Sequence, residues 1–236
     1  MMPPGSSVAG LKENFFDLIF PKFCLSCGAE GNWLCRSCRQ ALKIQPKEIC
    51  PVCRREVVGA KCPGDVLSKL WVLSEYHEPL IENSIRRLKY DYLTALVSEV
   101  WSLYLNNFWL KFNRDISHRS LLVPVPLHRR KLLERGFNQS TLIARELSEI
   151  SALEAAEGLL VRKIYNQPQV GLIGEKRRKN VQGIFKVDYR ALSDYWNREI
   201  ILIDDVHTTG STIGECAMAL HQAGFRQVSA LVLAIG

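Results

Sequence analysis

Apolar positions change their spacing several times along the chain, and each change marks an element. Leu11, Phe15, Phe16, Leu18, Ile19 and Phe20 crowd together ahead of Pro21 at helical spacing, a short face suited to packing on the cysteine-rich segment beyond it. A membrane-surface helix is a poorer reading of the same residues, because the segment lacks a strongly basic polar face. From Cys24 to Asp65 periodicity is weak. "WVLSEY", starting at Trp71, then reads as a strand. Ile81–Phe112 reads as helices, with Ile81, Ile85 and Leu88 and then Leu93, Leu96, Val97, Val100, Tyr104 and Phe108 at helical intervals. "LLVPV" (Leu121–Val125) predicts a second strand, and Leu142, Ile143, Leu147 and Ile150 a helix after it. Further strands are expected at Leu159–Arg162, Gly183–Val187, Glu199–Asp204 and Val228–Ile235. A helix from about Thr212 to Ala223 lies between the last two and stops at Gly224. Strands alternating with helices predict an α/β fold with a mainly parallel sheet covered on both faces.

Composition places boundaries on this pattern. Residues 1–10, "MMPPGSSVAG", are rich in Pro, Gly and Ser and are expected to be disordered. The cysteine-dense part gives a small N-terminal module over 11–68, and the alternating part a larger domain over 71–236. At 236 residues, 47% hydrophobic and 23% charged, the chain has ordinary globular composition. No apolar run approaches the roughly 18 residues a membrane span needs, and no leader pattern opens the chain, so a cytoplasmic protein is expected. The net charge of +7 and a pI of about 9.0 favour anionic partners such as nucleic acid or phosphorylated metabolites.

Seven of the eight cysteines fall between Cys24 and Cys62, and Cys216 stands alone. In a reducing compartment that clustering points to metal rather than disulfides. Cys24/Cys27, Cys35/Cys38 and Cys50/Cys53 are CxxC pairs, and Cys62 precedes Asp65 by three residues. Zinc takes four ligands in a tetrahedron, so these eight groups suffice for two structural sites. One reading is Cys24, Cys27, Cys35 and Cys38 as a first site, with Cys50, Cys53, Cys62 and Asp65 as a second. Seven residues separate Cys27 from Cys35, short for a ribbon, so an interleaved pairing of the first and third pairs stays open.

The stretch "ILIDDVHTTGST" (Ile201–Thr212) carries the most chemistry. An apolar strand brings Asp204 and Asp205 to the carboxyl edge of the sheet, where open α/β folds bind ligands. Thr208, Thr209, Gly210, Ser211 and Thr212 then turn into a helix N-terminus, whose N–H groups, dipole and four hydroxyls suit a phosphate. Gly210 allows close backbone approach. No Lys follows the glycine, so this is not a Walker loop. An acidic cap before an ordinary helix accounts for one carboxylate and one hydroxyl, not for the whole string.

"IILIDDVHTTGST" resembles the phosphoribosyl pyrophosphate (PRPP) motif of type I phosphoribosyltransferases. Together with "VPVPLHRRKLLERGFNQ" (Val123–Gln139), "NQPQVGLIGEKRRKNVQGIF" (Asn166–Phe185) and the CxxC pairs, it resembles the competence-protein-F (ComF) family from Phe20 onward. The resemblance implies a type I phosphoribosyltransferase fold behind a zinc-ribbon-like module. It implies that Asp204 and Asp205 hold the ribose 2′ and 3′ hydroxyls and Thr208–Thr212 the 5′-phosphate, with Mg²⁺ as cofactor beside zinc. Arg135, in the loop after the "LLVPV" strand, becomes a pyrophosphate candidate, and Arg177 and Asn180 match the family's Arg-x-x-Asn. Lys89 in "RRLKY" matches a recurrent family lysine without an assigned role. The chain departs from the family at His207, where an aliphatic residue is usual, and at Cys62/Asp65, which stand for a full CxxC pair. Thr208 takes the place where purine-salvage members carry an acidic residue that handles the base's proton.

The partners this implies are PRPP, single-stranded DNA and the proteins of a DNA-uptake machinery. Basic runs at Arg129–Lys131 and Lys176–Lys179 suit a nucleic-acid backbone, and Trp33 in the zinc module is expected to offer a stacking face. The alternative is a phosphoribosyltransferase acting on an unidentified acceptor. A sensor with a degenerate PRPP site is disfavoured by the retention of both carboxylates.

Overall fold

Residues 21–57, 62, 66–163, 183–190 and 192–236 are described by a computed structural model. The expectations for 1–10, the apolar face Leu11–Phe20, Asp65, and the run holding Arg177 and Asn180 lie outside the described residues. The chain divides into two compact units, Met1–Lys43 and Ile44–Gly236.

In the first unit the chain doubles back around its first thiols. Cys24 N donates to Ala29 O and Gly28 N to Cys24 O, each at 2.8 Å. Gly28 closes the turn at φ +77°, a left-handed conformation a glycine adopts without steric cost. Leu25 N donates to Trp33 O at 3.0 Å, with Trp33 and Leu34 buried behind the turn. Helix α1 (Arg36–Ala41) then starts directly after Cys35.

The second unit is built on a sheet of six strands: β1 (Lys47–Ile49), β2 (Leu70–Glu75), β3 (Leu121–Pro124), β4 (Glu154–Ala155), β7 (Ile200–His207) and β8 (Val228–Ile235). Their order is β1-β2-β8-β7-β3-β4, and every pairing is parallel except β1 with β2. A separate antiparallel pair, β5 (Leu160–Arg162) and β6 (Phe185–Val187), stands outside it. The expected α/β fold with a mainly parallel sheet is the one observed. Its central strands are continuous apolar runs because both faces are covered, which removes the alternation of a half-exposed strand. Leu202, Leu121, Ala230 and Val72 share one face, into which helix α7 (Ser211–Gln222) sets Ile213, Cys216, Ala217 and Leu220 at helical spacing.

The expected helical stretch Ile81–Phe112 is interrupted. It forms α2 (Pro79–Asp91), a π-helical turn at Val97–Trp101 and α3 (Ser102–Phe112). Glu78 starts α2 by accepting from Leu80 N (3.2 Å) and Ile81 N (2.9 Å), and Tyr104 donates its hydroxyl to the same carboxylate at 3.1 Å. Tyr92, at φ +58°, ends it. Trp101 Nε1 donates to buried Ser84 Oγ at 2.8 Å, and the Ser84 hydroxyl donates in turn to Ile81 O at 2.9 Å. Two polar groups inside the core are thus satisfied.

Two connections define where a ligand can enter. After β3 come α4 (Arg129–Arg135) and α5 (Gln139–Ser151), leading to β4 at one edge. A short helix α6 (Leu192–Tyr195) precedes β7, and after β7 helix α7 leads the other way to β8. The adjacent strands β3 and β7 therefore flank the point where the strand order reverses, the usual ligand crevice of such sheets. Strand β7 runs to His207, beyond the expected end at Asp204. The cause is β8, which continues to pair with it through Asp204↔Val232, Val206↔Ala234 and His207↔Ile235. Its other neighbour, β3, stops at Pro124↔Ile203. Asp204 and Asp205 thus sit within a strand that has lost one neighbour.

Candidate functional site

Backbone and thiols form two knuckles of the same design. The sulfurs of Cys24, Cys27, Cys35 and Cys38 all lie within 4.8 Å of one another, and so do those of Cys50, Cys53 and Cys62. Zinc–sulfur bonds of about 2.3 Å place tetrahedral vertices about 3.8 Å apart, so the first set fits all four vertices of a zinc site and the second fits three. Their grouping sets aside the interleaved pairing: the first two CxxC pairs share one site. The hydrogen bond from Leu25 to Trp33 brings the chain back in time for Cys35, whose N–H donates to Cys24 Sγ at 3.4 Å. The Ser37 hydroxyl and then the Cys38 N–H hold the Cys35 thiol down at about 6. The N–H groups of Cys53 and Cys62 do the same for Cys50, also to about 6. Their neighbours shift the other way, Cys62 being pushed up to about 11 by Cys53 and Cys50, as expected where several thiols crowd one metal-sized space.

The second knuckle repeats the two turn bonds of the first. Cys50 N donates to Arg55 O (2.8 Å) and Arg54 N to Cys50 O (2.7 Å). The left-handed position held by Gly28 in the first belongs here to Arg54, at φ +60°. A side chain in that conformation costs about 1–2 kcal/mol. The Arg54 guanidinium donates to the Thr208 carbonyl, and to Gly236 O at 3.4 Å.

At the crevice the acidic pair divides its contacts. Asp204 Oδ1 accepts from Ser140 Oγ at 3.0 Å and from Asp205 N at 2.9 Å. Ser140 reaches it from the buried first turn of α5, whose N-cap Asn138 donates to Val125 O at 2.9 Å. Burial, and next the charge of Asp205, push the Asp204 carboxyl up to about 7. Asp205 Oδ2 instead pairs with Lys89 Nζ at 2.5 Å. Lys89 follows Leu88 on the buried face of α2, so the cap at Glu78 and the packing of that helix place the ammonium.

The loop after β7 is shaped by the residue in which this sequence departs from its resemblance. His207 is buried, and a Cβ on Gly210 would come within 3.0 Å of its Cε1. Gly210 also takes φ +77° as the N-cap of α7. Glycine is needed there for this conformation and for the packing on His207. Thr209 and Ser211 hydroxyls lie 2.8 Å apart. A cavity of about 50 Å³ is lined by Asp204, Val206, His207 and the whole of Thr208–Ile213. Thr208, Thr209, Gly210, Ser211 and Thr212 are thus brought together beside Asp204.

Burial lowers the Lys131 pKa, and the charges of Arg135, Arg162 and Lys89 lower it further against the opposing charge of Glu134. Arg162 is itself lowered by burial, with Cys216 and Asp204 opposing the shift. Its Nε is buried without an acceptor among the described residues, and its guanidinium lies 5.6 Å from the Phe185 ring. Arg135 lies in the connection after β3, on helix α4 rather than in an open loop. Sequence reasoning misses Arg162, Ser140 and Arg54. A charge ending the apolar strand "LLVR" is the signal for Arg162; nothing local singles out the other two.

The expected stacking role of Trp33 is corrected by its burial at 9% exposure. Tyr90 and Tyr92 are exposed instead, at the end of α2, with Tyr92 edge-on to Phe137 at 6.2 Å. No helix among the described residues is long and apolar enough to cross a membrane.

A double zinc ribbon domain model matches residues 15–67. Competence protein F of Haemophilus influenzae is 26% identical over 218 residues, 91% of this chain and 85% of that protein. DNA utilization protein YhgH of Escherichia coli K12 is 28% identical over 88% of this chain and 94% of its own. Competence protein ComFC of Bacillus subtilis is 29% identical over 81% of this chain and 79% of its own. Among solved structures, adenine phosphoribosyltransferase from Leishmania tarentolae overlaps 75% of this chain and 94% of its own at a TM-score of 0.38 and 12% identity. The chain is thus similar over most of its length to competence and DNA-utilization proteins, and it carries a double zinc ribbon at its N-terminal end.

Proposed function

We propose that the protein binds phosphoribosyl pyrophosphate at the β7–α7 loop and handles single-stranded DNA in the manner suggested by its competence and DNA-utilization relatives. The observation that carries the first half is charge placement. Two carboxylates stand beside a hydroxyl-rich helix N-terminus, Lys89 pairs with one of them, and the charges of Lys89, Arg135 and Arg162 are felt together at Lys131. A ligand with a neutral diol between a monophosphate and a pyrophosphate matches that order. Asp204 and Asp205 accept from the ribose hydroxyls, Thr208–Thr212 donate to the 5′-phosphate, and the cations face the pyrophosphate. The carboxylate oxygens are hard donors of the kind Mg²⁺ takes, and that ion would neutralise part of the ligand's charge. Arg177 and Asn180 belong to the same reading as substrate contacts.

For DNA, Arg129 and Arg130 are exposed on α4, and Tyr90 and Tyr92 at the end of α2. Exposed cations and aromatic faces are what sequence-independent strand binding requires. Calorimetry with PRPP and Mg²⁺ tests the first half: Asp205→Ala should weaken binding about tenfold to a hundredfold, and equal affinity overturns the assignment. The same site serves a phosphoribosyltransferase with an unidentified acceptor, and the presence of both carboxylates speaks against a degenerate sensor. Pyrophosphate release across a panel of acceptors decides between them.

A further inference from the structure

A side chain of the second zinc knuckle reaches the phosphate loop. Arg54 stands at the turn position that the first knuckle gives to Gly28, in a backbone conformation unfavourable for any residue with a Cβ. The turn alone asks only for glycine there. What the arginine adds is its guanidinium, which takes the Thr208 carbonyl and Gly236 O. Other residues bring the same part of the chain against the loop: Pro51, Val66 and Leu67 line a cavity of about 440 Å³ with Thr209, Gly210 and Ser211. His221 on α7 holds this segment, with Nε2 2.7 Å from Val66 O.

A trans peptide directs its C=O and N–H to opposite sides. A cation holding the Thr208 carbonyl therefore directs the Thr209 N–H the other way and adds positive charge to the loop. We propose that Arg54 is a positioning residue that sets the Thr208–Thr209 peptide for phosphate, so that the loop's affinity depends on the metal site at Cys50, Cys53 and Cys62. This rests on reading the loop as a phosphate-monoester site. The knuckle turn holds the Arg54 backbone only while its thiols are gathered, so metal loss frees the guanidinium and the peptide with it.

Ribose 5-phosphate titrated into zinc-loaded full-length protein tests this, with zinc content and melting temperature measured alongside. Arg54→Gly should keep its zinc and melt at or above the wild-type temperature, since glycine takes φ +60° without strain. Its affinity should nevertheless fall about tenfold, because the Thr209 N–H is no longer held toward the phosphate and that one charge-assisted hydrogen bond is lost. Arg54→Lys, which keeps the charge and one donor, should recover part of the loss. Cys62→Ser should weaken wild type as Arg54→Gly does, yet add nothing in the Arg54→Gly background. Affinity for Arg54→Gly within about twofold of wild type overturns the positioning role. Additive losses in the double variant overturn the link to the metal. A wild type that does not bind the probe overturns the phosphate reading, and the positioning role with it, an outcome distinct from binding that ignores Arg54.

Discussion

Replacing Asp204 with Asn separates what this carboxyl does for folding from what it does for the ligand. Asn keeps an oxygen for Ser140 Oγ and the Asp205 N–H, the two donors at 3.0 and 2.9 Å, and removes a charge enclosed beside Asp205. The folded protein raises this pKa from 3.8 to about 7, mainly through burial and then through Asp205. The sign follows from linkage: folding favours the protonated form, so this group's stability contribution is full below about pH 4 and is lost as pH rises through 7. At about 1.36 kcal/mol per pH unit, the loss at pH 8 is at most about 4 kcal/mol. The new amide N–H₂ returns part of that as a desolvation cost of about 1–3 kcal/mol. Asp204→Asn should therefore stabilise the protein by about 1–3 kcal/mol at pH 8, or roughly 2–10 °C in melting temperature, and by much less at pH 5. Thermal melts of both proteins at pH 5, 6, 7 and 8 measure the difference, with PRPP affinity recorded on the same samples. Stability gained as affinity falls identifies a carboxylate kept for its ligand. A difference that does not change with pH, or a variant less stable at pH 8, refutes the reasoning.

Elemental analysis of purified protein should find two zinc equivalents, one for each thiol cluster, and Cys38→Ser should lose one while leaving the other. Gly210→Ala should cost about 1–3 kcal/mol, because φ is +77° and the new Cβ meets His207. Adding His207→Ala to it should relieve the clash but not the backbone cost, which denaturant melts of the single and double variants resolve. For nucleic acid, Arg129→Ala with Arg130→Ala should weaken binding of a labelled single strand and reduce the salt slope by about 0.7 for each phosphate no longer neutralised. Unchanged anisotropy curves across a salt series remove α4 from the DNA surface.

What the sequence alone determined was whatever depends on local spacing. Apolar runs bounded by polar residues yielded the central strands and their α/β alternation, because a strand buried on both faces must be apolar throughout. The hydroxyl loop was legible for the same reason: Asp204 to Thr212 are nine consecutive positions, and the chemistry travels with the chain. CxxC spacing likewise announced metal, since two thiols three residues apart can bite one ion. It left open which pairs share a site, and only the return of the chain through Trp33 to Cys35 decided that. Tertiary structure also decided how far β7 extends, because the register with β8, not the propensity of Asp-Asp-Val-His, carries the strand to His207. Lys89 and Ser140 meet the acidic pair from two separate elements, each held by its own capping or packing far along the chain. Arg54 reaches Thr208 across 154 positions of sequence. Such a contact leaves no local pattern, because the fold supplies the proximity and the residue supplies only a cation.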